Sequence, residues 1–163
     1  MDDKDRLGAA QWIFERHLAW IAAAEVKVGV VVAIDTALIG GLAAAFSTSD
    51  LDARTAWTYL WTLSAAGMAV LGIFCAAMAV LPRTNGPKSS LLFFGRVLEL
   101  DLAEYQEKIR TVSPTDLLDD YAAQIHRNAE IAGYKYGWVT KSIRWSFACA
   151  IPWAAAVGLL IKT

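Results

Sequence analysis

Long apolar blocks alternate with polar ones along this chain. Val28 to Phe46 supplies nineteen residues that are almost all apolar or small, with Asp35 set near the middle. Trp57 to Leu81 runs for 25 residues without one Asp, Glu, Lys, Arg or His. Trp145 to Ile161 adds seventeen more, bracketed by Arg144 and Lys162. At about 1.5 Å per helical residue, the second block crosses a hydrocarbon layer of roughly 30 Å with some tilt. The third is at the short end of the spanning range, but its flanking cations can snorkel and its tryptophans suit the interface. The pattern predicts three transmembrane helices. Pro152 bends the last without ending it, because neighbouring helices take up the freed carbonyl. The competing reading of the second block is a helix buried on all sides of a soluble bundle, yet a domain this small seldom hides so long a helix.

The polar blocks are helical too. In the N-terminal arm Trp12, Ile13, Trp20 and Ile21 are set against Gln11, Glu15, Arg16 and His17, an amphipathic helix resting at the inner interface or packed on the cytoplasmic hairpin formed further along the chain. Between the second and third spans, Asn85-Gly86-Pro87 acts as breaker, and Phe94, Leu98, Leu102, Tyr105 and Ile109 recur at spacings of four or three, predicting a single helix with an apolar stripe. Ser113 as N-cap, Pro114 at the first helical position and Asp116 in the first turn open the next helix. Leu117, Tyr121, Ile125, Asn128, Ala132, Lys135 and Val139 keep helical spacing up to the third span, so this helix is expected to run straight into it. The fold class that follows is an all-α multi-pass membrane protein. Its expected parts are an interfacial helix over 1–25, a two-helix transmembrane hairpin over 26–82, a cytoplasmic helical hairpin over 83–143 as sensor and a third span over 144–163.

Composition agrees: 56% of residues are hydrophobic, against roughly 45–50% in ordinary soluble domains. The net charge of −1 hides an uneven layout. If the spans alternate, Arg16, Lys27, Arg83, Lys88, Lys135, Lys141 and Arg144 fall on one side, and only Arg54 and Lys162 on the other. The positive-inside rule then places the N-terminus and the stretch from Pro82 to Arg144 in the cytoplasm, while the loop "STSDLDARTA" and the C-terminus face out. The polar start "MDDKDRLGAAQW" and the long first apolar block argue against a cleaved signal peptide. Cys75 and Cys149 lie inside spans and read as apolar fillers, neither a disulfide framework nor a metal site.

Catalysis finds no support. There is no nucleophile motif, glycine-rich phosphate loop or HExxH, and His17 and His126 are far apart in sequence, so no cofactor is expected. The stretch "QIHRNAEIAGYKYGW" is the most suggestive polar segment. His126, Arg127, Asn128, Tyr134 and Lys135 offer cationic donors, an amide for a base edge and an aromatic face, which suits a cyclic nucleotide and not a nucleic-acid polymer. A solvated helix near lipid phosphates carries the same residue types.

Asp35 is the residue that a membrane helix avoids unless the acid has a task. Lys27 lies roughly 10 to 12 Å away along the helix axis, too far for a pair. The second span offers only groups such as Thr62, Ser64 and Cys75. The carboxyl is therefore protonated, hydrogen-bonded to a hydroxyl, or turned toward water in an assembly. Ala33, Ala37, Gly41 and Ala45 form a small-residue ridge that permits close helix contact, including contact in a homo-oligomer.

Taken together, "WIAAAEVKVGVVVAIDTALIGGL", "SLLFFGRVLELDLAEYQ" and "SPTDLLDDYAAQIHRNAEIAGYKYGWV", with an uncharged span between the first two and a final span after the last, resemble the membrane effectors of bacterial Pycsar antiphage systems. The resemblance covers about Trp12 to Ile161. Trp20, Ala24, Lys27, Asp35, Phe94-Gly95, Gln124-Ile125-His126 and Lys135 are its most telling positions. It implies a partner cyclase that makes a cyclic pyrimidine mononucleotide, cyclic UMP or cyclic CMP, during infection. The effector responds by damaging the inner membrane, and the cell dies before phage mature. Two other classes fit the residues: a constitutive small channel or transporter subunit with Asp35 on its path, and a passive anchor that recruits a protein.

Overall fold

A computed structural model describes residues 2–161, so the flanking cation Lys162 lies outside the described residues. The elements are α1 (Asp3–Thr48), a single 3-10 turn (Leu51–Ala53), α2 (Ala56–Val80), α3 (Phe94–Val97), α4 (Leu102–Thr111) and α5 (Pro114–Leu160). Three of them, α1, α2 and α5, are long and apolar enough to cross a membrane. The chain divides into two compact units: an apolar one of Ala24–Leu81 with the residues from Lys135 onward, and a polar one of the residues up to Ala23 with Pro82–Tyr134. Of the three boundaries, those after Ala23 and Tyr134 fall inside α1 and α5, and the one after Leu81 falls just past the end of α2.

Local chemistry explains most of the helix ends. Ser113 caps α5 as expected, its hydroxyl accepting from the Asp116 N–H at 3.1 Å and donating to the Asp116 carboxylate at 2.6 Å. Thr55 caps α2 by accepting from the Thr58 N–H at 3.3 Å. Arg54 closes the end of α1, donating to the Phe46 and Ser49 carbonyls at 3.0 Å each, where a cation also complements the helix dipole.

One expectation is corrected. The single striped helix predicted from Phe94 to Ile109 is broken: α3 ends at Val97, and α4 begins afresh at Leu102, because Asp101 accepts from the Glu104 N–H at 2.8 Å and so supplies an N-cap. Phe94, Leu98, Leu102 and Ile109 are 58%, 79%, 71% and 42% exposed, so four of the five stripe residues are not core. The N-terminal arm is helical as expected, and it runs unbroken from Asp3 into the first span as the single helix α1. Within the polar unit, Phe14 of the arm packs edge-on against Tyr121 of α5, their ring centroids 5.8 Å apart.

In the apolar unit α2 buries Ala65, Ala69, Gly72, Ala76 and Ala79, spaced alternately by four and three. Such a seam of small side chains lets helix backbones approach closely, which in lipid is a main source of association. α5 exploits the approach by donating to backbone carbonyls. Ser142 Oγ reaches the Gly72 carbonyl at 2.7 Å, Cys149 Sγ the Ala65 carbonyl at 3.3 Å, and Trp153 Nε1 the Leu38 carbonyl of α1 at 2.8 Å. Val28, Val31, Asp35 and Leu42 form the buried face of α1. Of the ridge named from sequence, Ala33 and Ala37 are exposed, Gly41 is exposed but lies beside the Trp153 ring, and Ala45 packs against the core.

Candidate functional site

Asp35 is fully buried where α1, α2 and α5 meet. Ser146 Oγ donates to its Oδ2 at 2.9 Å, while Oδ1 has no hydrogen-bond partner among the described residues. The Ser146 hydroxyl is also 3.1 Å from the Ser142 carbonyl, so one proton serves two acceptors. Opposite, a Cβ on Gly72 would collide with the Asp35 carboxylate and stand 3.1 Å from Ser146 Oγ, so only glycine leaves room for the acid. Of the alternatives open in the sequence, the hydroxyl partner is the one seen, and it comes from the third span, not from Thr62, Ser64 or Cys75. The signal available in the sequence was the pair Ser142 and Ser146, one helical turn apart, together with a glycine in the second span.

Lys27 makes no contact with Asp35. Its ammonium lies 4.8 Å from the centre of the Tyr136 ring, a cation–π contact within the apolar unit.

The five residues expected to hold a ligand do not converge. Lys135 belongs to the apolar unit, where it is 4% exposed, pairs with Glu25 at 2.8 Å and donates to the Ala79 carbonyl at the end of α2 at 3.0 Å. The other four are in the polar unit. Arg127 donates to the Asn85 carbonyl at 2.8 Å and to Glu130 at 2.9 Å. Its hydrogen bond holds the Glu130 carboxyl below the ordinary carboxylate range, against a smaller effect of burial and with help from the His126 and Arg127 charges. His126 is exposed and 3.7 Å from Glu130. Asn128 is buried with its amide nitrogen unpaired among the described residues. Only Arg127 and Tyr134 share a hollow, of about 490 Å³, with Arg83, Glu130 and Ile131. There the Arg83 guanidinium already covers the Tyr134 ring, 3.5 Å from its centre. Helical spacing placed these residues on one element but could not say which were spoken for.

Three membrane-length apolar helices, a fastened carboxylate among them, and a polar helical unit built on two of the same helices define an α-helical multi-pass membrane protein. The chain belongs to the Pycsar effector protein family, whose PycTM domain profile matches residues 9–162. It is 27% identical, over an alignment of 154 residues, to the Pycsar effector protein PtPycTM of Propioniciclava tarda, covering 86% of this chain and 74% of that protein. It is 26% identical over 74 residues to the Pycsar effector protein GmPycTM of Gulbenkiania mobilis, covering 45% of this chain but only 38% of that relative. No solved structure matches the chain.

Proposed function

We propose that this protein is the non-enzymatic membrane effector of a Pycsar antiphage system. A partner cyclase supplies cyclic UMP or cyclic CMP, the polar unit binds it on the cytoplasmic side, and the spans then impair the inner membrane so that the infected cell dies early. The family match over residues 9–162 carries this reading. Two features of the fold support it. The polar unit shares α1 and α5 with the spans, so a ligand there acts on helices that continue into the membrane. The spans are joined by a few polar contacts that a change in helix position would break, with Asp35 held by one hydroxyl. The exposed Ala33 and Ala37 face of α1 suits close contact with a second copy once the spans rearrange.

For the nucleotide to drive such a change it must bind the rearranged state better than the resting one. Purified protein in liposomes loaded with a self-quenching dye is expected to leak on addition of cyclic UMP or cyclic CMP and to stay tight without it. Equal leakage without nucleotide would identify a constitutive channel, and no leakage under any condition a passive anchor.

A further inference from the structure

The ligand's seat within the polar unit is a separate question. This unit holds more Asp and Glu than Lys and Arg, so its net charge is negative, and the place where cations prevail is informative. Of its hollows, the one beside Asp116, Asp119 and Asp120 is acidic. The hollow with Arg83 and Arg127 has its guanidiniums committed to Tyr134, Asn85 and Glu130. A third, of about 490 Å³, has Lys88, Arg96 and Lys108 on its walls against the single carboxylate of Glu99. That volume falls within the roughly 300–1,000 Å³ of small-molecule sites.

We propose that this groove, between the loop ahead of α3 and the helix α4, binds the cyclic phosphate of the nucleotide, with Lys88, Arg96 and Lys108 as its donors. The inference rests on the function proposed above. Lys88 is exposed and has no ion-pair or hydrogen-bond partner among the described residues, so it engages a phosphate without breaking anything. Arg96 and Lys108 are paired with Glu99 and Glu104 on the protein surface, contacts that are weak in water and readily exchanged for a phosphate. Leu100 and Val112 offer apolar wall for the sugar. An adjoining hollow shares Lys88 and Arg96 and has Phe93 on its wall, apolar surface for the base. Gly86 and Gly95 flank the Phe93 ring, and a Cβ on either would collide with it.

The groove is also preorganised. Ser90 Oγ accepts from the Leu92 and Phe93 N–H groups and from Gln124 Nε2 at 2.8 Å, while Asp120 accepts from the Leu91 N–H at 2.7 Å. Gln124 and Asp120 lie on α5, so the loop that carries Lys88 is tied to the helix that becomes the third span. A phosphate drawing α4 and this loop together therefore acts directly on α5.

The test is calorimetric titration of the full-length protein in detergent with cyclic UMP and with cyclic CMP. Lys88→Ala combined with Lys108→Ala is expected to raise Kd at least about tenfold, Lys88→Arg to stay within about threefold of wild type, and Arg127→Ala likewise. Unchanged circular dichroism would show that the variants fold. If the double variant binds like wild type while Arg127→Ala loses binding, the groove is wrong and the proposed function stands. If wild type binds neither nucleotide, the function itself falls, and this site with it. A short-chain phosphatidylglycerol is expected not to compete. Competition at comparable concentration would reassign the groove to lipid phosphate and overturn the proposal.

Discussion

At the residue scale, an acid in the middle of a membrane helix is tolerated only where something else gives way, and here a glycine and a hydroxyl do. Gly72 makes the space for Asp35 and Ser146 supplies the proton donor. Gly72→Ala is expected to prevent correct assembly of the three spans, because its Cβ meets the carboxylate. Gly72→Ala with Asp35→Ala should recover much of the loss, a non-additivity characteristic of residues in contact. Unfolding in mixed micelles measures both; additive losses would show that the two do not meet. Asp35 was conspicuous in the sequence, whereas its partner was not. Apolar periodicity finds a buried face but does not say which residue of a distant helix faces it.

At the scale of elements, the continuity of α5 was legible because nothing between Ser113 and Trp145 breaks a helix. The gap between α3 and α4 was misread because a four-and-three spacing takes no account of an Asp that caps. Lys135 is a further case. The same side chain that looks like a ligand donor on an isolated helix ties the end of α2 to α1 through the Ala79 carbonyl and Glu25. That tie has an asymmetry that can be tested. The Lys135 side chain is 5% exposed and Glu25 49%. Glu25→Ala leaves a buried cation with only a carbonyl, while Lys135→Met leaves a carboxylate that water can reach. Glu25→Ala is therefore expected to destabilise the protein more, by about 3 kcal/mol at most given the partial exposure of the pair. Comparison of the two variants by micelle unfolding checks the order; the reverse order would refute the account.

At the scale of the whole molecule, the distribution of cations predicts that the polar unit and the N-terminus face the cytoplasm and that the loop "STSDLDARTA", Ser47–Ala56, faces out. Protease added to right-side-out spheroplasts is expected to spare Pro82–Tyr134, and added to inverted vesicles to cut it. Cleavage in the opposite preparation would reverse the topology and with it the side from which a nucleotide arrives. The sequence by itself determined three spans, their all-α class and an exceptional acid, because these depend on length, apolarity and periodicity along one chain. Only the tertiary structure decided that α2 supplies the small-residue seam, that Ser146 answers Asp35, that Lys135 is locked in the apolar unit and that Lys88 has no ion-pair or hydrogen-bond partner among the described residues. Those outcomes depend on which side chains from distant segments arrive at the same place, and that is set by how three helices pack, not by the spacing within any one of them.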